Sequence, residues 1–265
     1  MKEAKNLIVR SNIPETDYVI NPYTGCQHGC IYCYAEFMKR FTNHKSEKWG
    51  QFLDVKQFDF SKIKPHKYDD KNILLSSVTD PYLPLELKYK NTRKSLKALL
   101  GTEADITILT KSKLAERDID LFQQFKNIKV GISISTLDET FSGIIEPVAS
   151  KPQERLELIK KLYKEGIITY IFISPFFPEI TDYRKIINTS REYTDYYMFE
   201  NLNFRPHNIK RIYKVIKQNY PELVKVYKQF KKVPANWNFI EEEIRAFCTQ
   251  EDLQCKIAFH HGGFS

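Results

Sequence analysis

Long apolar segments are absent from this 265-residue chain, and so are internal repeats and low-complexity linkers. No run reaches the ~18 apolar residues that a membrane-spanning helix needs, so we expect no membrane partner. Residues 1–6 lack the apolar core and the small-residue cleavage site of a signal peptide, which predicts a cytoplasmic protein. There are only five cysteines, and in a cytoplasmic chain they favour metal binding or catalysis over disulfides.

Acidic residues are almost absent from one stretch of the chain. Residues 205–232 contain nine Lys or Arg and one acid, Glu222, which gives this stretch a net charge of +8. The whole chain also has a net charge of +8, so the rest of the sequence is balanced. A localised basic surface can bind phosphate backbones or another anionic partner, although a solvated helix face has the same composition.

Apolar, β-branched segments alternate with helical patterns through the first three-quarters of the chain. Six strands are predicted, near residues 18, 73, 105, 129, 167 and 196. Apolar strands that alternate with helices are typical of a parallel sheet, and six strand–helix units are fewer than a closed barrel needs. We therefore predict an α/β fold, a partial (β/α)6 TIM-like barrel over residues 1–204. Residues 205–265 are predicted to form a mainly helical extension packed on the barrel.

Polar side chains follow several of the predicted strands at the point where each strand ends. They are Thr79, Asp80, Thr110, Lys111, Ser112, Ser133, Ser135 and Ser174. The carboxyl ends of the strands form the active site of a parallel α/β barrel, so these positions indicate one shared rim.

Three of the five cysteines lie within eight residues. Cys26, Cys30 and Cys33 have the spacing Cys-x3-Cys-x2-Cys, and Tyr32 stands directly before the last of them. Three thiolates on one short loop can hold three corners of a 4Fe–4S cluster and leave one iron without a protein ligand. A substrate or cofactor can bind at such an iron, so the motif predicts chemistry as well as structure. Because the motif follows the first predicted strand, we expect it on the same rim.

This motif resembles the signature of the radical S-adenosylmethionine (SAM) enzymes, and residues 21–35 resemble their spore photoproduct lyase branch in particular. Further segments that resemble this branch follow in the expected order. They are residues 79–86, 109–112, 117–118, 133–136, 146–149 with Arg155, and 174–175 with Asp182. The resemblance covers roughly residues 18–200.

The resemblance implies a radical SAM enzyme with two cofactors, a 4Fe–4S cluster and SAM. One electron from the cluster would cleave SAM to methionine and a 5′-deoxyadenosyl radical, and the radical would abstract hydrogen from a substrate. The resemblance also implies an electron donor such as flavodoxin or ferredoxin.

Residue roles follow from the resemblance position by position. The cluster ligands and catalytic residues are Cys26, Cys30 and Cys33. The residues expected near the cluster or SAM are Tyr32, Tyr34, Thr79, Asp80, Lys111, Ser133, Ser135, Glu146 and Arg155. Lys111 is suited to the methionine carboxylate as a charge-assisted donor. Glu146 and Arg155 could equally form a structural ion pair, and the two serines could cap strand ends.

Zinc is the main alternative for the cysteine motif. A structural zinc site usually has four ligands, and His28, Cys248 or Cys255 could supply the fourth. Zinc explains neither Tyr32 nor the ordered polar strand ends.

The remaining two cysteines are predicted to be small core residues. Cys248 shares a helical face with Ile244, and Cys255 begins an apolar run. A second cluster, held by these cysteines with His260 or His261, is a further alternative.

Three functions are compatible with the sequence. The first is a radical enzyme acting on nucleic acid, indicated by the resemblance and by residues 205–232, where aromatic residues could stack on bases. These aromatic residues are Tyr213, Tyr220, Tyr227 and Phe230, and they could equally form the core face of two helices. The second is a radical enzyme acting on a peptide, a protein or a small metabolite. The third is a non-catalytic, metal-bound module that holds nucleic acid.

The sequence departs from spore photoproduct lyase at one position. That enzyme has a cysteine shortly before the segment that resembles residues 79–80, and this cysteine returns a hydrogen atom to the product. The corresponding residue here is Ser77, whose O–H bond is too strong for that step. The resemblance therefore indicates the branch and leaves the substrate open.

Overall fold

The computed structural model describes residues 2–259, and a mostly parallel eight-stranded sheet forms its centre. The strands are β1 (Lys2–Glu3), β2 (Ile8–Arg10), β3 (Tyr18–Ile20), β4 (Tyr23–Thr24), β5 (Asp54–Gln57), β6 (Asn72–Leu75), β7 (Asp105–Thr110), β8 (Ile128–Ser133), β9 (Ile168–Phe176), β10 (Tyr196–Asn201) and β11 (Cys255–Ile257). The order across the central sheet is β11-β10-β9-β8-β7-β6-β3-β2. All neighbours are parallel except β2 and β3. A separate small sheet has the order β1-β5-β4.

Helices cover the sheet and continue into the C-terminal region. They are α1 (Glu86–Tyr89), α2 (Asn91–Leu99), α3 (Ile119–Phe122), α4 (Glu139–Ile145), α5 (Pro152–Lys164), α6 (Tyr183–Ser190), α7 (Ile209–Asn219), α8 (Val224–Lys232) and α9 (Asn236–Gln250). Short 3-10 turns cover Tyr34–Phe41, Phe60–Lys62, Pro65–Tyr68, Lys113–Asp118, Arg191–Tyr193 and Pro221–Leu223. Within residues 2–259, no helix combines the length and the apolar character that a bilayer span requires.

The central parallel sheet confirms the predicted α/β fold. All six predicted strands are present as β3, β6, β7, β8, β9 and β10, and their apolar residues form one core. β8 is buried along most of its length, because helices and loops cover both of its faces. The sequence pattern predicted this burial, since β-branched residues favour strands and polar residues are few there.

Two short strands extend the sheet beyond the six that were predicted. β2 adds an antiparallel edge beside β3, and β11 adds a parallel edge beside β10. β11 comes from the region predicted as a helical extension, where α7, α8 and α9 are otherwise present as expected. The division of the chain into residues 1–204 and 205–265 stays a prediction.

The prediction of two separate core thiols at the C-terminal end is wrong. Cys248 is buried, as expected for its place on α9, but it forms a disulfide with Cys255. The chain reverses direction between α9 and β11, where the Leu253 amide donates to the Cys248 carbonyl at 2.9 Å. This turn brings the two cysteines together, so neither thiol is available to a metal in this state. His260 and His261, named as possible ligands of a second cluster, lie outside the described residues.

Gly131 marks the tightest packing within the central sheet. The Tyr170 ring on β9 lies directly against it, and the Tyr170 hydroxyl donates to the Ile108 carbonyl on β7 at 3.1 Å. A Cβ atom at position 131 would overlap that ring. A residue without a side chain is therefore required at the middle of β8.

Gly131→Ala is predicted to destabilise the protein by about 1–3 kcal/mol, because the added methyl group overpacks the core against Tyr170. The matched control is Gly143→Ala on α4, where a Cβ atom meets open space. That substitution should be neutral or stabilise by up to ~1 kcal/mol, because alanine favours the helix. Urea unfolding of both variants measures the difference, and equal stabilities would contradict the packing at Gly131.

Candidate functional site

The three clustered cysteines lie at the carboxyl end of β3, on the rim formed by the ends of the parallel strands. We call residues 25–33 the cysteine loop. All three thiols are free; Cys26 and Cys30 are buried, and Cys33 is half-buried. The loop packs on a small hydrophobic cluster that includes Trp49 and Phe52, separate from the main core. The loop is therefore held by the protein on one side and borders the rim on the other.

Glycines give the cysteine loop its backbone shape. Gly25 and Gly29 have φ values of +93° and +61°, a left-handed region that favours glycine. A Cβ atom on Gly25 would lie 2.7 Å from the Phe52 carbonyl oxygen. A Cβ atom on Gly50 would lie 2.7 Å from the Gly29 Cα, so residues 49–52 approach the loop at backbone distance. The close approach buries the thiols, because the neighbouring segment covers the loop without intervening side chains.

Asp80 joins the cysteine loop to the ends of two strands. Its carboxylate accepts hydrogen bonds from the Tyr82 amide at 2.8 Å, the Thr110 hydroxyl at 2.7 Å and the Lys111 amide at 2.8 Å. His28 Nε2 in the cysteine loop lies 3.2 Å from the same carboxylate. Burial alone would raise the pKa of Asp80, but His28 and the hydrogen bonds from Thr110 and Lys111 lower it to about 2. The carboxylate is therefore ionised at neutral pH.

Further contacts fix the loop after β6 against the cysteine loop. The Thr79 hydroxyl donates to the Gly25 carbonyl at 2.6 Å. The Asn21 side chain accepts from the Ser77 amide at 3.0 Å and donates to the Ser77 hydroxyl at 3.2 Å. The hydroxyl of Tyr34, which is 43% exposed, donates to the Ser77 carbonyl. Ser77 is thus placed beside the motif, at the rim.

Glu146 and Arg155 form a buried ion pair next to the cysteine loop. Arg155 Nη2 lies 2.5 Å from the Glu146 carboxylate, and each side chain is 1% exposed. The Tyr32 hydroxyl donates to the same carboxylate. Burial would raise the pKa of Glu146, but the charges of Arg155 and Lys111 and the Tyr32 hydrogen bond lower it. Arg155 also donates to the Ser133 carbonyl at 2.9 Å, so the pair is tied to the end of β8. The contact of Glu146 and Arg155 with SAM stays a prediction.

Lys111 presents a positive charge to the cysteine loop. Its ammonium nitrogen lies 5.8 Å from the centre of the Tyr32 ring, and the side chain is half-buried. Burial raises the pKa of Cys30 and Cys33, and the Lys111 charge offsets part of that rise. Within residues 2–259 no carboxylate lies within ion-pair distance of this ammonium. The Lys111 ammonium is therefore able to bind an anionic group at the rim.

Burial dominates the acid–base behaviour of the three thiols. Burial and the neighbouring Cys33 raise the pKa of Cys26 to about 12, and burial and Cys30 raise the pKa of Cys33 to about 12. Burial and then the Glu146 charge raise the pKa of Cys30 still further. Metal binding requires thiolates, so loading a metal here would release protons.

The donor set of three thiols on one short loop suits an iron–sulfur cluster. A 4Fe–4S cluster places each thiolate on a different iron, whereas zinc draws four ligands to one point. Of the possible fourth zinc ligands, His28 contacts Asp80, and Cys248 is bonded to Cys255.

Ser133 and Ser135 lie together at the end of β8. Both hydroxyls donate to the Ser174 carbonyl, at 2.9 Å and 2.8 Å. The Ser174 hydroxyl donates in turn to Glu200 at 2.8 Å. The two serines thus hold strand ends together, which is the structural alternative considered for them. Their contact with SAM stays a prediction, as does that of Thr79 and Asp80.

Two residues at the start of α7 contact the cysteine loop and were not found from the sequence. The Asn208 side chain, fully buried, donates to the Tyr32 carbonyl at 2.8 Å. His207 Nε2 lies 3.2 Å from the Cys33 carbonyl oxygen. Their sequence signal is only an Asn before a helix, which is typical of any helix start. The contacts link the C-terminal region to the motif across more than 170 positions.

Two other segments used in the resemblance form a buried charge network below the rim. Glu86 is fully buried and lies 2.7 Å from Arg117, which lies 2.8 Å from Asp118. The Tyr23 hydroxyl and the Thr92 amide also donate to Glu86. These residues connect the small sheet to the loop after β6, so they support the site from below.

Comparison with known proteins adds a family to this geometry. Residues 20–190 match the family model "Radical SAM superfamily". An uncharacterised protein of Methanocaldococcus jannaschii is 40% identical over 220 residues, which cover 83% of each chain.

Solved structures share the fold. Spore photoproduct lyase complexed with dinucleoside spore photoproduct has a TM-score of 0.66 at 16% identity, covering 97% of this chain and 80% of that one. Streptococcus suis SuiB bound to S-adenosylmethionine has a TM-score of 0.62 at 16% identity, covering 91% of this chain and 49% of SuiB. The family match covers more than half of the chain and shows that the chain belongs to the radical SAM superfamily, as a radical SAM enzyme with a 4Fe–4S cluster and SAM as cofactors.

Proposed function

We propose that this enzyme cleaves SAM reductively to start radical chemistry on a nucleic-acid substrate, in the cytoplasm. The observation that carries the proposal is the group of three free thiols on the cysteine loop, two of them buried and one half-buried, near the ammonium of Lys111. When bound, the cluster supplies the electron that splits SAM into methionine and a 5′-deoxyadenosyl radical, which abstracts hydrogen from the substrate.

The residues of the cysteine loop and its surroundings divide into two roles. Cys26, Cys30 and Cys33 would hold three irons of the cluster, and the remaining iron would be free to bind SAM. Tyr32 and Tyr34 lie on either side of the last ligand, and Tyr34 is exposed at the rim, where an adenine ring can pack against it. The other rim residues orient these groups through the hydrogen bonds already described.

Lys111 binds the methionine carboxylate of SAM. The ammonium lies 5.8 Å from the centre of the Tyr32 ring, and the side chain is half-buried, so a charge-assisted hydrogen bond is worth more there than at the surface. The Lys111 amide is fixed by Asp80 at 2.8 Å, so the root of the side chain is held in place. Glu146 is already neutralised by Arg155, which leaves the charge of Lys111 for an incoming anion.

A lysine-rich surface supports a nucleic-acid substrate. Exposed lysines recur every three or four residues along α7 and α8, so that each helix has a stripe of positive charge. We call this surface the lysine face; it consists of Lys210, Lys214, Lys217, Lys225, Lys228, Lys231 and Lys232. Within residues 2–259, none of these lysines is in an ion pair, so their charges remain available to phosphates. Spore photoproduct lyase, whose fold is similar, was solved in complex with dinucleoside spore photoproduct.

The aromatic residues among these lysines serve the core. Tyr227 is fully buried and donates to the Pro178 carbonyl at 3.1 Å. Phe230 packs on Trp237, with ring centres 4.7 Å apart. Tyr220 packs edge-on against the Phe141 ring. The structure therefore supports the core alternative for these rings, and the lysine face contacts phosphates without base stacking from them.

A peptide is the second candidate substrate. SuiB, which shares the fold, was also solved bound to the precursor peptide SuiA. An acidic peptide could use the same lysine face, so the two substrate classes must be separated by binding measurements.

Cys30→Ala and Lys111→Ala test the proposed chemistry separately, since the first should lose the cluster and the second should lose affinity for SAM. Cys30→Ala should prevent assembly of about four irons per chain and abolish 5′-deoxyadenosine formation under anaerobic reduction. Lys111→Ala should retain the iron but weaken SAM binding about 10- to 100-fold, because one charge-assisted hydrogen bond is removed.

The matched control is Lys164→Ala, an exposed lysine at the end of α5, which lies at the opposite end of the sheet from the rim. It should bind SAM like the unmodified chain. Normal SAM binding by Lys111→Ala would contradict the placement of the carboxylate. A colourless protein with one zinc per chain would contradict the cluster.

Replacing Lys225, Lys228, Lys231 and Lys232 by Gln is predicted to weaken nucleic-acid binding uniformly across sequences. Each lysine that no longer neutralises a phosphate should reduce the slope of log affinity against log salt by about 0.7–0.9. The measurement is a binding titration with single- and double-stranded oligonucleotides across a salt series, with Lys164→Gln as control. Binding of an acidic peptide but of no oligonucleotide at low salt would favour the second candidate and reject the first.

A further inference from the structure

Trp49 places a buried hydrogen-bond donor beside the cysteine loop. The side chain is 7% exposed, and its Nε1 atom is shielded from solvent. Within residues 2–259, this N–H makes no hydrogen bond. Buried polar groups in proteins are nearly always hydrogen-bonded, so a buried donor without a partner requires an explanation, and a role in redox chemistry is one of the few.

Ring contacts and a strand pairing hold Trp49 in place. Its ring packs edge-on against Phe52, with ring centres 5.7 Å apart, and Phe52 stacks on His44 at 4.5 Å. His44 Nε2 lies 3.2 Å from the carboxylate of Asp54 on β5. Asp54 in turn pairs in register with Thr24 on β4, directly before the cysteine loop. The indole is therefore held on a scaffold that is continuous with the cysteine loop.

The sulfur of Cys33 is the acceptor that this N–H can reach. Trp49 belongs to the small hydrophobic cluster against which the Cys33 side chain packs. Burial and then the charge of Cys30 raise the pKa of Cys33, and the Trp49 N–H offsets part of this rise because it favours the thiolate. A thiolate is a stronger acceptor than a thiol, and ligation of iron requires the thiolate.

The donor beside Cys30 is placed differently. Burial raises the pKa of Cys30, and the Tyr32 hydroxyl offsets part of that rise. The same hydroxyl, however, donates to the Glu146 carboxylate. Trp49 differs from Tyr32, because in the described part of the chain no oxygen or nitrogen acceptor competes with sulfur for its N–H.

We propose that Trp49 is a positioning residue for the cluster, whose indole N–H donates a hydrogen bond to the Cys33 thiolate and raises the reduction potential of the bound cluster. The proposal rests on the proposed role of Cys33 as a cluster ligand. A low-potential one-electron donor adds one electron to the cluster and no bond breaks, so the sulfur ligands gain negative charge. A donor aimed at one of them stabilises the reduced state more than the oxidised state.

Access of water would shift the potential in the opposite direction from loss of the N–H. Trp49 lines a cavity of about 250 Å³ together with Gly29 and Cys30, so a smaller ring at position 49 would admit water toward the cysteine loop. Water stabilises the more highly charged reduced cluster and raises its potential. Loss of the hydrogen bond lowers the potential. The sign of the shift therefore distinguishes a hydrogen-bond donor from a residue that only excludes water.

The test is a redox titration of the anaerobically reconstituted full chain with Eu(II) chelates of graded potential, followed by electron paramagnetic resonance. Trp49→Phe should decrease the equilibrium constant for one-electron reduction about tenfold, which lowers the potential by about 59 mV. The matched control is Trp237→Phe, at the other tryptophan of the chain. Trp237 packs on Phe230 and Phe259 in the main core, so this variant should keep the potential of the unmodified chain.

A second substitution removes the N–H and keeps the size of the ring. Benzothienylalanine, in which sulfur replaces the indole nitrogen, is incorporated in place of tryptophan into the Trp237→Phe chain, so that only position 49 carries it. Its potential should fall by a similar amount relative to Trp237→Phe with the natural indole. Iron and sulfide analysis shows that each protein is loaded.

An unchanged or raised potential in either loaded protein would overturn the hydrogen bond. If Trp49→Phe assembles no cluster, the benzothienylalanine protein decides, because its ring has the shape of the indole. Failure of the unmodified chain to assemble any cluster would instead overturn the proposed role of the cysteine loop, and the role of Trp49 with it.

Discussion

The ionised carboxylate of Asp80 is the contact on which the rim depends. It receives hydrogen bonds from the chain after β6 and from the end of β7, and it touches His28 of the cysteine loop. Three segments distant in sequence are therefore fixed around one buried charge. A buried carboxylate is tolerated only where its lone pairs are satisfied, so the three segments and the charge stabilise one another.

The same rim carries one positive charge more than its ion pair uses. Arg155 pairs with Glu146, which also accepts a hydrogen bond from the Tyr32 hydroxyl. Lys111 Nζ lies 5.8 Å from the centre of the Tyr32 ring, with no carboxylate of the described residues within ion-pair distance. An extra positive charge next to three potential thiolates offsets part of their repulsion, and it leaves an attractive site for an anionic ligand group.

The sequence predicted the central sheet because its strands are short, apolar and rich in β-branched residues, and because helices separate them. The location of the site was predicted from the rule that active sites of parallel barrels lie at the carboxyl ends of the strands. The spacing of the cysteines predicted an iron–sulfur cluster at this site. The hydrogen bonds of Ser133 and Ser135 to Ser174 could not be predicted from the sequence. A serine hydroxyl at a strand end can bond either to the backbone or to a ligand, and the sequence is the same in both cases.

Long-range contacts account for what was missed. β2 and β11 are three residues each, too short for a periodic pattern, and they join the sheet only because its edges are open. The Cys248–Cys255 disulfide depends on the turn between α9 and β11, and His207 and Asn208 reach the cysteine loop from a remote helix start. None of these has a local signal, because each is decided by tertiary packing.

The central claim is that three thiolates hold a cluster whose fourth iron is open to SAM, beside Lys111. Electron paramagnetic resonance of the reduced protein, recorded with and without SAM, tests this most directly. The account predicts a cluster signal whose shape changes when SAM is added, because SAM ligates the open iron. A cluster signal that SAM leaves unaltered, or the absence of any cluster signal after anaerobic reconstitution, would contradict it.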